Sequence, residues 1–251
     1  SSHVTEFNVF ATSGSHLITG GTGGLGLLTS RWLAQRGANL LTLASRSGNL
    51  ARDMEDEWGH IQATAVSTLT QRCDTAETVH FRRVLLSGRA RLPTTGVWHA
   101  AGVLADSVLP TQMARSLARV YSAKAHGAWT LQHACARTPL RTCAFFASVA
   151  ALLGGAGQAN YSAANVCLDA LAAWRRALST ASTSVQWGAW AELGMAARGA
   201  ASERMAAMEA ASGFARIGLA QGLAALHVAV LPRAVSIVGV VVAQWHRVLG
   251  G

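Results

Sequence analysis

Short apolar runs alternate with stretches of helical period along most of this 251-residue chain, and the alternation leaves few folds open. Runs at 16–19, 39–45, 65–71, 96–100, 141–148, 184–188 and 234–242 read as strands. Between the first two, Leu25, Leu28, Trp32 and Leu33 recur at helical spacing, and Gly37 suits the helix's C-terminal end. Residues 115–137 read as helical, in two pieces, and 158–178 as one long Ala-rich helix. Strands feeding helices in turn predict a parallel sheet of about seven strands with helices on both faces, a doubly wound α/β domain. The reading gives one domain over 16–251, preceded by a linker or N-terminal extension over 1–15. An Ala-, Met- and Glu-rich stretch at 191–215 follows the sixth strand, where a lid over a site would be placed.

Ligands in doubly wound sheets bind at the carboxyl ends of the strands. The glycine-rich turn Gly20-Gly21-Thr22-Gly23-Gly24-Leu25-Gly26 follows the first strand and opens an amphipathic helix. By itself it could be only a tight connection. In that position its backbone N–H groups suit a pyrophosphate, which they hold without a cation. The second strand ends in Ser45-Arg46-Ser47, where many nucleotide sites carry an acid for the ribose hydroxyls. A guanidinium among hydroxyls instead suits a 2′-phosphate, and so NADPH over NADH. Asp74, Gly102, Ser148 and Gly188 also fall just after strands, and this convergence outweighs any single motif.

Tyr161 and Asn165 are four residues apart, on one helix face. A tyrosine that protonates a developing alkoxide works badly at its free pKa of about 10, and a nearby cation favours the phenolate. A fall of roughly three units would represent on the order of 4 kcal/mol. Lys124 is the chain's one lysine beside twenty arginines, and a compact ammonium that can also bond a ribose is the natural partner. Ser148, at a strand end, can hydrogen-bond a substrate carbonyl; its bland alternative is a helix cap. Tyr121 has no such company and reads as structural. The eight tryptophans, Trp187 and Trp190 among them, read as packing.

Composition excludes other classes. Hydrophobic residues make up 51% and charged residues 13%, which argues for a large core and against disorder. The formal charge of +9 comes from arginines scattered singly or in pairs, not from a basic run, so no nucleic-acid partner is expected. Cys73, Cys135, Cys143 and Cys167 show no metal-type spacing and read as reduced and mostly buried in a reducing, cytoplasmic compartment, with no metal site. No secretory leader is visible at the N-terminus, and no apolar run is long enough to span a bilayer. The chain begins without an initiator methionine and ends in Gly250-Gly251, so a piece of a longer protein is expected.

Taken in order, Thr19-Gly-Gly-Thr-Gly-Gly-Leu-Gly26, Ser45-Arg-Ser-Gly48, Cys73-Asp74, His99-Ala-Ala-Gly102, the 122–129 segment around Lys124, Ser148-Val-Ala, Tyr161-Ser-Ala-Ala-Asn165 and the 186–195 segment resemble the ketoreductase domains of modular polyketide synthases. These are a Rossmann-like branch of the short-chain dehydrogenase/reductase superfamily. The likeness covers about residues 15–245. Most members of the superfamily carry lysine four residues after the tyrosine; here Asn165 stands there and Lys124 supplies the amine, the exchange that these ketoreductases and animal-type fatty acid synthases use. The resemblance implies that Tyr161 donates the proton, Ser148 orients the carbonyl, Lys124 supports tyrosine and cofactor, and Asn165 completes the relay. Gly20, Thr22, Gly23, Gly24, Leu25, Gly26, Ser45, Arg46, Asp74, Ala100, Ala101 and Gly102 map onto NADPH contacts.

The resemblance also implies a substrate: a β-ketoacyl thioester on the phosphopantetheine arm of an acyl carrier protein. Leu104-Ala105-Asp106 is similar to the Leu-Asp-Asp signature of B-type domains, with the decisive last aspartate kept. The A-type tryptophan position is Leu153. The B-type proline is replaced by Ala156, and Asn160 fits B-type, so a D-configured hydroxyl is expected. Relatives carry a cofactor-free structural half before the catalytic one, so an N-terminal partner half and neighbouring synthase domains are expected. Two rival readings remain: a stand-alone short-chain dehydrogenase acting on free ketones, and a non-reducing structural or epimerising domain that binds NADPH.

Overall fold

The computed structural model describes residues 14–89, 92–192 and 213–248. Residues 1–13 of the expected linker and 193–212 of the expected lid lie outside them. In chain order the elements are β1 (Ser15–Thr19), α1 (Gly24–Gln35), β2 (Leu40–Ser45), α2 (Glu55–Gln62), β3 (Ser67–Arg72), α3 (Thr78–Arg89) and β4 (Thr94–His99). A short 3₁₀ turn, α4 (Ala114–Tyr121), a π-turn (Ser122–His126), α5 (Gly127–Ala134), β5 (Thr142–Ser148) and α6 (Ala150–Leu153) follow. Then come α7 (Ala159–Ala177), β6 (Thr183–Trp187), β7 (Phe214–Ala215), α8 (Leu219–Ala229), β8 (Ile237–Val240), β9 (Val242–Ala243) and α9 (Trp245–Val248).

Seven strands form one sheet in the order β3-β2-β1-β4-β5-β6-β8, with helices on both faces, as the doubly wound pattern predicts. Burial follows strand position. β1, β4 and β6 are buried almost throughout, while the edge strands β3 (Ser-Thr-Leu-Thr-Gln-Arg) and β8 alternate between partly covered and exposed residues. The predicted seventh strand, 234–242, is in fact two. β8 stays in the parallel sheet against β6, and Val242–Ala243 turns away to pair antiparallel with Phe214–Ala215. Apolar content cannot show a strand that changes partner.

The chain divides into two compact units. The first comprises residues 1–102 and 122–144. Here β1 pairs with β2 and β4, and β2 with β3, all parallel. Trp32 of α1 meets Trp98 of β4 edge to face at 5.8 Å, and the Arg36 guanidinium caps the Trp32 ring at 4.4 Å. Trp98 Nε1–H donates to His16 Nδ1 at 3.3 Å, so this buried indole and imidazole satisfy each other.

The second unit comprises residues 103–121 and 145–251. Its spine is α7, whose buried residues Tyr161, Ala164, Asn165, Leu168, Asp169 and Ala172 recur at helical spacing. The buried Asp169 carboxylate accepts from Ser184 Oγ (2.6 Å) and Gln186 Nε2 (2.7 Å), fastening α7 to β6. Trp187 meets Phe146 edge-on at 5.7 Å between ring centres and Trp190 at a tilt at 5.0 Å. The expectation that all the tryptophans pack inside holds only in part, since Trp129, Trp174 and Trp245 are exposed. Three of the four cysteines are buried, with Cys167 exposed. Among the described residues no helix is long and apolar enough to cross a membrane.

Candidate active site

In the first unit the site residues gather at the carboxyl ends of β1, β2 and β4. β1 ends in Thr19, and Gly20 turns the chain with a φ of +68°, a conformation that favours glycine. A Cβ on Gly20 would stand 2.9 Å from the Ala100 and Ala101 backbone, so the turn lies directly on the segment after β4. Gly26 is tighter still: its Cβ would fall 2.2 Å from the Gly20 carbonyl oxygen. No side chain caps the N-terminus of α1, and its first turn holds no acid. Donors are thus presented with positive dipole character and no competing carboxylate, which fits a pyrophosphate. Thr22 is buried, and Gly23, Gly24 and Leu25 are partly covered.

Arg46 extends into solvent from the end of β2. The Ser45 hydroxyl accepts from Gly48 N–H (3.1 Å), shaping the turn that presents the arginine. Asp74, half-buried after β3, accepts the Ala76 N–H at 3.1 Å. Burial lifts the neighbouring Cys73 thiol to about 11, with Asp74 adding to the shift, so Cys73 is no nucleophile. Lys124 lies within the π-turn and is 3% exposed. A Cβ on Gly102 would meet the lysine's Cε at 3.1 Å, so the stem of Lys124 passes over the segment after β4.

In the second unit the structure brings together Ser148, Tyr161 and Asn165. Ser148 ends β5, and its Oγ accepts the Ala150 N–H at 3.2 Å. The helix-cap alternative is therefore partly true: one lone pair serves α6, while the hydroxyl proton is left to donate elsewhere. Tyr161 is 8% exposed and packs with Val120, Ala150 and Ala164; Val103, Leu104, Ala105 and Tyr121 line the same cluster. Burial pushes its phenol above the usual value; contacts with Asn165 and Ser148 oppose this, and Asp106 adds to it. Within this unit burial thus favours the protonated phenol. Asn165 Nδ2 donates to the Tyr161 carbonyl (2.8 Å), and its Oδ1 is buried without a hydrogen-bond partner among the described residues.

The stereochemistry candidates sit next to these groups in sequence and structure. Asn160 Nδ2 donates to the Ala105 carbonyl at 2.9 Å, and its Oδ1 accepts the Tyr161 N–H at 2.7 Å. One buried amide therefore ties the 104–106 loop to the first turn of α7. Gln158 Nε2 donates to the exposed Asp106 carboxylate at 3.3 Å, and Ser107 N–H donates to the Gly157 carbonyl at 2.8 Å. Leu153 is exposed at the end of α6. Sequence reasoning passes over Gln158, whose only mark is its place three residues before the tyrosine. It also gives no role to His99, which it reads only as one letter of a motif.

Residues 14–192 match the family model described as KR domain. Polyketide synthase GfsB of Streptomyces halstedii is 42% identical over 193 residues, 77% of this chain and 4% of that protein. The phthioceranic/hydroxyphthioceranic acid synthase of Mycobacterium tuberculosis is 38% identical over 190 residues, 75% of this chain and 9% of that protein. A solved structure of A-type ketoreductases from a modular polyketide synthase has a TM-score of 0.86 at 32% identity, covering 94% of this chain and 49% of that one. The first ketoreductase of the tylosin synthase gives 0.83 at 34% identity, covering 96% and 51%. The chain spans about half of these solved chains and less than a tenth of the curated relatives. Order, spacing and fold agree: the chain belongs to the ketoreductase (KR) domains of polyketide synthases, oxidoreductases of the short-chain dehydrogenase/reductase type that bind a nicotinamide cofactor.

Proposed function

We propose that this domain uses NADPH to reduce a β-ketoacyl thioester, carried on an acyl carrier protein, to the D-configured β-hydroxyacyl thioester. The observation that carries the reading is the gathering of Ser148, Tyr161 and Asn165, with the Tyr161 phenol buried and pushed above its usual pKa by that burial. Reduction of a ketone needs a group that still holds its proton when the alkoxide develops, and a phenol kept above its usual pKa does so at neutral pH. When bound, the nicotinamide supplies the hydride. The Ser148 hydroxyl, which contacts the Tyr161 phenol, orients the carbonyl; Tyr161 gives its proton to the oxygen. Lys124 supports tyrosine and ribose, and Asn165, whose Oδ1 has no hydrogen-bond partner among the described residues, continues the proton relay.

Gly20 to Gly26 would hold the pyrophosphate through backbone N–H groups, with Asp74 and the Ala100-Ala101-Gly102 segment completing the nucleotide site. The absence of an acid after β2 and the free reach of Arg46 support NADPH over NADH. For product configuration, the support is the fastening of Asp106 by Gln158 and of Ala105 by Asn160. The domain would work in the cytoplasm, joined to further synthase domains and to an N-terminal structural half.

The test is NADPH oxidation with a β-ketoacyl pantetheine thioester, followed by chiral analysis of the product. Turnover to the D-hydroxyl is expected. Product of the L-configuration would overturn the stereochemical reading alone. Binding of NADPH with no turnover, also when a structural half is supplied, would overturn the reductase reading in favour of a non-reducing domain.

A further inference from the structure

His99 ends β4 and is wholly buried, yet neither of its ring nitrogens is idle. Nδ1 lies 2.7 Å from Thr19 Oγ1, at the mouth of the glycine turn. Nε2 lies 3.0 Å from the backbone carbonyl of Lys124. A carbonyl only accepts, so the proton sits on Nε2 and Nε2–H donates to Lys124. Nδ1 is then the acceptor, and the Thr19 hydroxyl donates to it. Thr19 thereby fixes the tautomer that holds Lys124.

The surroundings are built for this contact. Lys124 lies in a π-turn, where the regular hydrogen-bond ladder of a helix is interrupted and an outside donor can be admitted. A Cβ at Gly127, the first residue of α5, would come within 3.0 Å of the His99 ring and 2.6 Å of Thr75 Oγ1, so the helix reaches the imidazole only through a glycine. Burial holds the ring's pKa at about 4, which keeps it neutral and the tautomer intact.

We propose that His99, fixed as its Nε2–H tautomer by Thr19, is a positioning residue that sets the place of Lys124 along the π-turn. It would act through the lysine's backbone and touch neither substrate nor cofactor. The proposal rests on the reading of Lys124 as the cation that supports Tyr161, so the test separates the two.

The full chain is assayed with NADPH and a β-ketoacyl pantetheine thioester, with kcat, KM and the pH–rate profile measured beside thermal melts. Lys124→Met sets the floor, with an expected loss of at least about 100-fold in kcat, within the range for one acid–base component. Folded His99→Leu should lose about 10-fold in kcat with KM within about twofold, and its alkaline limb should move to higher pH as the cation loses its place. His99→Gln, whose amide can both donate to the carbonyl and accept from Thr19, should recover most of that loss. His99→Leu added to Lys124→Met should cost nothing further.

If Lys124→Met keeps full activity, the reading of the lysine fails and the proposal goes with it. If Lys124→Met is inactive but folded His99→Leu keeps its kcat and pH profile, His99 is merely structural, and a lowered melting temperature alone leads to the same conclusion. Should His99→Leu not fold, Thr19→Val, equal in size and without the hydroxyl, must show the same alkaline displacement in smaller measure; an unmoved profile overturns the proposal.

Discussion

The two units meet their chemical tasks with different parts. The first builds its glycine cradle from backbone, with bare glycine and an uncapped helix start, and adds one buried lysine whose carbonyl is held by an imidazole. The second builds from side chains: the Ser148 hydroxyl, the Tyr161 phenol and the amides of Asn160 and Asn165. A backbone site is damaged by adding atoms, because there is no room for them. A side-chain site is damaged by removing them, because in the proposed reaction one oxygen gives the proton. Binding and reaction should therefore fail separately.

The sharpest separation is expected at Tyr161. Tyr161→Phe removes one oxygen from a packed apolar cluster and leaves the ring in place. We expect kcat to fall by about 10³-fold, the middle of the range for a general acid, with NADPH affinity within about twofold of the parent. Steady-state kinetics beside fluorescence titration checks both. A variant that retained reductase activity would mean that the proton comes from elsewhere.

Gly26→Ala should give the converse. The added methyl would stand 2.2 Å from the Gly20 carbonyl oxygen, backbone against backbone, and neither can step aside cheaply. NADPH affinity should drop by at least about 10-fold, with a lower melting temperature. Gly23→Ala is the control, since its Cβ meets only the Gly20 oxygen, at 3.6 Å; the fold should survive it. Equal tolerance at both positions would refute the backbone-contact account.

Acid should also divide the units. His16 and His99, both in the first, are buried with pKa values lowered to about 4 from 6.5. A depressed histidine binds fewer protons folded than unfolded, so its stabilisation is present above about pH 6.5 and is lost as pH falls toward 4. At pH 5 each ring should cost about 2 kcal/mol relative to pH 7.5. Hydrogen exchange at pH 5 should show protection lost first in β1 and β4. The denaturant midpoint of His99→Gln should depend less on pH. Equal loss across both units would show that these rings do not govern the acid response.

What the amino-acid sequence makes legible follows the same division. Glycine turns and strand ends announce themselves locally, so the glycine turn, the sheet and α7 are readable from pattern. Tyr161, Ser148 and Asn165 are readable because their residue types are chemically distinctive. The depth of the tyrosine's burial is not, because it depends on Val120, Ala150 and Ala164 arriving from three separate elements. His99 and Lys124 are 25 residues apart, and their bond runs to a backbone carbonyl, which leaves no mark on residue type. The change of partner between β8 and β9 is hidden for a similar reason: both strands are drawn from one apolar run.

The finest distinction lies inside the second unit, between the groups proposed to react and those proposed to aim. Asn160 and Gln158 each fasten the 104–106 loop through a single hydrogen bond, worth about 1 kcal/mol, and have no part in the proposed proton transfer. Gln158→Leu should therefore leave kcat within about threefold and erode the configuration of the product by a factor of about five, read by chiral chromatography. Asn160→Leu should erode it further, because its Oδ1 also accepts the Tyr161 N–H and the first turn of α7 loosens with it. Unchanged product purity in both variants would mean that the loop's contacts with α7 do not set configuration. The reverse order of effect would place that control on Asp106 itself, because only Gln158 touches its carboxylate among the two.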